Sequence, residues 1–496
     1  MATANFLPYR HTRMMRLREH LERPHGRGLT PHGASTGAAG GASCGDLLRI
    51  SLRLDGERVA AAGFDAHGCG SAIAAGSAAV ALIEGRSLLD AARIGPEQIA
   101  AELGGLIPPK RHAAELAADA LHRALGQAAR SQAGLEHTAA RVLVAMSGGV
   151  DSAVAAVLAG SRAVAVTLEL WSDAENDGSA SCCSPQAVRS ARALAHGLGL
   201  PHLSLDLRAE FRAGVVEPWL AEHAAGLTPN PCVRCNGAVR LDAMLELAER
   251  LGASALVTGH YARTQDGLLR VAADPAKDQS YMLAALEPES VKRMRFPLGE
   301  LRKQAVRELA QRMALTVAGK PDSQDLCFLA GTDRNAFLAR HGALGQRTGE
   351  LLDAQGRRIG VHRGAHAYTV GQRRGLGVGG GTPLYVLATD ADANVVTVGP
   401  RSELATRTVE LRDAVLYRPR FDSVRLRYRQ RPFACAPLPR QNGLALALQE
   451  PAYGVAPGQL ACLMDGELIV GHATIAAPAS PRRRRGSREH AAGAAA

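Results

Sequence analysis

From Arg141 onward, short apolar runs alternate with amphipathic stretches. RVLVAM (141–146) reads as a buried strand, Ser152 to Ala159 as a helix and AVAVTL (163–168) as a second strand. A helix is expected at about 185–198 and a third strand at His202 to Leu207. Strands alternating with helices predict an α/β domain on a parallel sheet, here bounded as 138–340. Upstream, 1–130 reads as a separate α+β unit. It has a Gly/Ser/Thr/Ala-rich loop at 33–43, an alternating strand at Leu47 to Leu54, and helical patterns to about 125. The stretch 126–140, GQAARSQAGLEHTAA, reads as a linker or frayed helix end. Beyond 340 the texture becomes short β-like runs between Gly-rich turns (GVGGGTPLYVL, 377–387; VVTVG, 395–399). That predicts a central β-rich domain at 341–403 and a C-terminal β-barrel at 404–477. Residues 478–496, rich in Ala, Pro and Arg, are expected to be a disordered basic tail.

A chain of 496 residues exceeds one ordinary core, in keeping with several domains. Its formal charge of +11 suggests an acidic partner, nucleic acid first, although Arg482 to Arg485 supply part of it. The nine cysteines are odd in number and clustered, which argues for reduced thiols rather than an extracellular disulfide framework. No apolar run reaches the roughly 18 residues of a spanning helix, so no membrane and a cytoplasmic location are expected.

Ser147-Gly148-Gly149-Val150-Asp151-Ser152 lies between an apolar strand and a helix. Two glycines allow a tight turn whose N–H groups face an anion, helped by the helix dipole and two serine hydroxyls. The lysine of a Walker loop is absent. Cys232 and Cys235 form a CxxC pair in TPNPCVRCN (228–236), and Cys327 stands in DSQDLCFLAG (322–331). Taken alone, a CxxC pair could be a zinc half-site or a redox pair. Pro229 and Pro231 bracket Asn230 and predict an extended loop rather than a helix.

These segments, with VTGHYAR (257–263), KDQSYML (277–283), FPLGEL (296–301), YTVGQRRGLGVGGG (368–381) and RLRYRQ (425–430), resemble the MnmA-type tRNA-uridine 2-sulfurtransferases of the PP-loop ATP pyrophosphatase superfamily. The match runs in order from about 140 to 475. The resemblance implies 2-thiolation of the wobble uridine, position 34, with ATP and Mg2+ and tRNA as partner. ATP would lie over Ala145, Met146 and Ser147 to Ser152 (Gly148, Gly149, Val150, Asp151 between them), with Leu168 and Gly259 at the nucleotide. The uridine 2-carbonyl oxygen would be adenylated. A persulfide on Cys327 would then attack, with Cys235 closing a disulfide to release the sulfur. Thiolates with depressed pKa values are therefore expected. Asn230, Pro231 and Cys232 would hold the target base, and Lys277, Asp278 and Gln279 would form a tRNA-contacting strip. Cys232 departs from the Asp that many family members carry. With Cys235 and Cys327 it makes three thiols, enough for three irons of a [4Fe–4S] cluster, so persulfide and cluster routes both stay open. Cys182 and Cys183 read as loop thiols, and Cys435 and Cys462 as core residues.

Residues 16–46, FDAHGCGSAIAA (64–75) and PPKRHAAELAADAL (108–121) resemble the IscU/NifU-type iron–sulfur scaffold. Cys44, Asp46, Cys69 and His112 match its ligand positions, which implies a bound iron–sulfur cluster and a cysteine desulfurase or sulfur-relay partner as donor. Ala113 replaces the usual third cysteine, so the unit is expected to dock a donor or pass a cluster rather than build one. Arg425, Arg427 and Arg429 alternate along a strand-like run, predicting three guanidiniums on one face toward tRNA phosphates. The family's tRNA contacts map to Arg427 and Tyr428. A non-catalytic iron–sulfur or sulfur carrier is the alternative, as is another adenylating PP-loop enzyme. An intact phosphate loop speaks against the first, and the thiol pattern against the second.

Overall fold

The computed structural model describes residues 16–40, 45–173, 184–322, 326–378, 381–440 and 443–477. Cys44, Cys182, Cys183 and the basic tail lie outside the described residues.

The N-terminal unit is an antiparallel meander of β1 (Ser35–Gly40), β2 (Leu47–Asp55) and β3 (Arg58–His67), covered by the helices Gly70–Ile83 and Arg111–Ser131. β1 replaces part of the loop expected at 33–43. Its small residues disguise it as a turn, but they serve packing. A Cβ on Gly37 would collide with the Ala120 carbonyl of the helix lying across it. The expected linker is corrected as well, because 126–131 continue the helix Arg111–Ser131. Gly126 lets that helix touch the Ser204 backbone, where a side chain would not fit.

The next domain has β4 (Val142–Ala145), β5 (Ala163–Glu169), β6 (His202–Asp206), β7 (Leu256–Val257), the hairpin β8 (Arg263–Gln265) and β9 (Leu268–Arg270), and β10 (Met294–Arg295). Its parallel sheet runs β10-β7-β4-β5-β6. Strand order reverses beside β4, and ligands bind at the carboxyl ends of strands at such a switch point.

A four-stranded sheet follows, β12-β11-β14-β13, from β11 (Gly349–Asp353), β12 (Arg358–His362), β13 (Tyr385–Asp390) and β14 (Val395–Gly399). The last domain is a closed six-stranded barrel. β15 (Ala405–Leu416), β18 (Gly443–Tyr453), β17 (Phe433–Arg440), β16 (Ser423–Arg425), β19 (Leu460–Asp465) and β20 (Leu468–Ile475) pair in that order, and β20 returns to β15. Closure leaves no free edge among these six strands. Cys435 and Cys462 are buried there as expected, and burial pushes each thiol up to about 12.

The N-terminal unit is seated on the α/β domain by charge as well as packing. Arg123 grips Glu169, the last residue of β5, through two bonds of 2.6 and 2.5 Å and donates to Ala38 O. Asp119 receives Arg189 and the nearly buried Arg192, each at 2.8 Å. Buried His122 places its ring nitrogens against the carbonyls of His202 (2.8 Å) and Ile94 (2.9 Å). No described helix is long and apolar enough to cross a membrane.

Candidate active site

The phosphate loop forms at the carboxyl end of β4. Gly148 takes a left-handed φ of +69°, which a side chain would strain. Gly149 caps the helix Val150–Ala159, so the first free N–H groups of that helix face the loop. Ser152 Oγ accepts from Ser147 N at 3.1 Å and donates to Gly149 O at 3.1 Å, fixing the turn. Ala145 and Met146 lead into it, and Met146 is buried. Gly259 follows the neighbouring β7. A Cβ there would come within 2.8 Å of the Asp151 carbonyl carbon and Ser152 N, so only glycine lets the two loops meet. Leu168 flanks from β5 with its side chain mostly buried. The structure thus gathers the expected nucleotide residues at the switch point.

Around Asp151 stands a charged network absent from the sequence reading. Lys303 Nζ lies 2.7 and 2.8 Å from its two carboxylate oxygens and 2.8 Å from Asp322 Oδ1. Asp322 also receives Lys277 at 2.7 Å and Arg307 at 2.9 Å. Burial would raise the Asp322 carboxyl, but Lys277 and Lys303 outweigh it and bring it down to about 2. Tyr261 OH donates to Asp151 at 2.9 Å, and Lys320 Nζ donates to Gly148 O at 2.9 Å. The available signal was position: Lys303 closely follows FPLGEL, and Asp322 opens DSQDLCF.

The thiol loop differs from its expectation. Asn230 is extended, yet Pro231 is the first residue of the helix Pro231–Cys235, where its missing N–H costs nothing. Asn230 caps this helix by accepting from Cys232 N at 3.1 Å. Cys232 and Cys235 are therefore three apart on a helix and share a face. Cys235 is buried and Cys232 half-buried. A π-helical turn, Asn236–Arg240, follows. Burial pushes the Cys232 thiol up, against an opposing pull from Arg240, which corrects the expectation of a depressed pKa for this residue. Cys327 opens a short 3-10 turn and is half-buried. The next residue, Phe328, is anchored among Phe211, Trp219 and Phe337.

A continuous chain of contacts joins the two loops. Tyr261, bonded to Asp151, receives Gln279 N on its carbonyl (2.8 Å) and donates its own N–H to Gln279 Oε1 (3.0 Å). The helix Ser280–Leu283 follows Gln279 directly, and its Met282 accepts from Asn236 Nδ2 (3.1 Å, carbonyl) and Asn230 Nδ2 (3.6 Å, sulfur). The Oδ1 of buried Asn236 has no hydrogen-bond partner among the described residues.

Two expectations about tRNA contacts are corrected. Asp278 is buried, and its carboxylate is held by Ala272 N, Ser280 N and Oγ, and Arg425 at 2.6 Å, so it braces the strip instead of facing outward. The three arginines do not alternate on a strand. β16 ends at Arg425, and Arg429 sits in a turn at φ +63°. Arg425 is the buried partner of Asp278, and Arg427 donates to Val370 O (3.2 Å) and Gly454 O, clamping a loop of the central domain to the barrel. Arg429 is exposed over the ring of half-buried Tyr428. Pro231 is buried, and Lys277 is tied to Asp322.

In the N-terminal unit, Asp46, Cys69 and His112 converge with ligand atoms within 4.8 Å of one another, the one such group of three among the described residues. Cys69 Sγ lies 3.2 Å and His112 Nε2 3.3 Å from Asp46 Oδ2. His112 Nδ1 donates to Pro109 O at 3.0 Å, leaving Nε2 as the ligand atom. Burial works against ionised Asp46, but its bonds from Cys69 and His112 prevail and lower its pKa. This set suits a thiophilic cation or cluster. Ala113 is fully buried in the core.

Four family models match in sequence order: a NifU-like N terminal domain over 13–133, a tRNA methyl transferase HUP domain over 140–331, a tRNA methyl transferase PRC-barrel domain over 335–400, and an aminomethyltransferase beta-barrel domain over 418–475. A bifunctional protein NifU/MnmA of Rubrobacter xylanophilus is 44% identical over 93% of this chain and 98% of its own. The tRNA-specific 2-thiouridylase MnmA of Thermobifida fusca is 43% identical over 68% of this chain and 95% of its own. That of Zymomonas mobilis is 40% identical over 67% and 92%. With both halves matched and the phosphate loop and thiol motifs in place, the chain belongs to the MnmA family of tRNA-specific 2-thiouridylases, in the bifunctional form that carries a NifU-like domain.

Proposed function

We propose that the protein 2-thiolates the wobble uridine of tRNA at the expense of ATP, with the sulfur delivered as a persulfide on Cys327. The observation that carries this reading is the run of contacts from Asp151 through Tyr261, Gln279 and Met282 to Asn230 and Asn236. It ties the adenylating loop to the thiol loop within one domain. ATP would lie over Ser147 to Ser152, its phosphates facing the loop N–H groups. The uridine O2 attacks the α-phosphorus, and pyrophosphate leaves with the bonding pair. The persulfide's outer sulfur then adds to C2, and AMP departs with the former O2. Cys235 attacks the inner sulfur of Cys327, giving the disulfide and leaving the transferred sulfur on the base. The unpartnered Asn236 Oδ1 is an acceptor suited to the uracil N3–H.

Asp151 and Asp322 offer hard carboxylate oxygens beside the loop, the donor type that Mg2+ takes. In the N-terminal unit, Asp46, Cys69 and His112, with Cys44 the fourth position the resemblance implies, would hold the iron–sulfur or metal group. The persulfide route is favoured over a cluster on Cys232, Cys235 and Cys327 because those thiols do not close to ion-binding distance as the N-terminal group does. Cys232 is also held toward its neutral form by burial. A desulfurase or relay protein would load Cys327. The test is anaerobic thiolation of tRNA transcript with ATP and a persulfide donor, read as 2-thiouridine by nucleoside mass spectrometry. Absence of 2-thiouridine from wild-type protein would refute the reading.

A further inference from the structure

The loop Ser147 to Ser152 poses a charge problem. A triphosphate brings several negative charges, and the leaving pyrophosphate keeps most of them. The loop supplies N–H groups and hydroxyls, but its one charged side chain is the carboxylate of Asp151, and the lysine of a Walker loop is missing. Two ammonium groups from distant sequence reach it. Lys303, with only 11% of its side chain exposed, bridges Asp151 and Asp322, and Lys320 donates to the carbonyl of Gly148. Lys303 begins the helix Lys303–Arg312, and its backbone N–H is fixed by Asp274 Oδ2 at 3.0 Å, so the stem is anchored while the ammonium can change partners.

We propose that Lys303 is the cation that binds the β,γ-pyrophosphate of the nucleotide, exchanging its bond to Asp151 for phosphate oxygens. Asp322, kept ionised by Lys277 and Arg307, holds the ammonium within reach. Lys320 positions the loop through the Gly148 carbonyl. In the adenylation step Lys303 keeps its proton. It neutralises charge on the departing pyrophosphate while the bond between the α-phosphorus and the bridging oxygen breaks. This assignment rests on the reading that the loop takes ATP.

Isothermal titration calorimetry with ATP, inorganic pyrophosphate and AMP separates the contributions on the full chain. Lys303→Met should weaken ATP and pyrophosphate about tenfold or more, the loss expected of one charge-assisted bond. It should leave AMP, which lacks the β,γ-phosphates, unchanged. Lys303→Arg should restore most of the loss. Unchanged pyrophosphate affinity in Lys303→Met overturns the assignment. So does an equal loss for AMP, which would mark Lys303 as a support of the loop. Wild-type protein that binds pyrophosphate through Lys303 yet thiolates no tRNA would refute the proposed function and leave this assignment standing.

Discussion

Two regions of this molecule carry cysteines with a claim to sulfur or iron, and they are built differently. In the N-terminal unit, Asp46, Cys69 and His112 already converge, with the imidazole oriented by Pro109 and the carboxylate buried. In the α/β domain, Cys232 and Cys235 ride a helix and Cys327 a separate turn, without that convergence. Binding an ion rewards ligands fixed in advance, since ordering them later costs entropy. Passing a sulfur atom from thiol to base and then closing a disulfide requires thiols that approach in turn. The first region is thus organised for holding and the second for transfer.

The largest expected effect that sharpens this contrast is on Cys327. Cys327→Ala should abolish 2-thiouridine formation while ATP and tRNA binding persist; retained thiolation would remove this residue from the chemistry. Next comes the seam that makes the two regions one body. Arg123→Ala strands the Glu169 carboxylate, whose side chain is 7% exposed, and should cost ~3 kcal/mol in urea unfolding. A loss under 0.5 kcal/mol would mean the pair relaxes into water at little cost.

Acid should loosen the transfer region. Burial first, then Arg240, holds His260 down to about 3, and burial holds His223 down to about 4. Unfolded histidine titrates near 6.5, so the unfolded chain binds more protons between the two values. The stability these residues contribute is complete above pH ~6.5 and is lost as pH falls toward 4 and then 3. His260→Gln should flatten this slope in denaturation curves taken between pH 7 and 4. An unaltered slope would show that His260 keeps its ordinary pKa.

The smallest effect concerns tRNA. With Arg427 engaged by backbone carbonyls, Arg429→Ala should lower the salt dependence of tRNA binding by roughly 0.7 to 0.9 units of log–log slope, one phosphate contact. If Arg427→Ala alters the slope and Arg429→Ala does not, the inward placement of Arg427 fails.

The sequence carried the strands and helices around the phosphate loop because apolar β-branched runs and a glycine turn are local signals. β4, β5 and β6 fall where the pattern put them. The same locality explains what stayed hidden. β1 is written in small residues because a helix lies on it. Arg425, Arg427 and Arg429 alternate in sequence, but a left-handed residue ends the strand. Lys303 stands 152 positions from Asp151, and Arg123 46 from Glu169, beyond any window of periodicity. The ligand group of the N-terminal unit was legible by resemblance. The bracing role of Asp278 was not, because burial is a property of the fold.

The measurement that bears most directly on holding against transfer is anaerobic iron and sulfide analysis of wild type, Cys69→Ser and Cys232→Ser, each assayed for thiolation with a persulfide donor. Iron lost only from Cys69→Ser, with thiolation retained in that variant, is the predicted result. Iron and activity lost together from Cys232→Ser would place a cluster among the catalytic thiols and contradict the account.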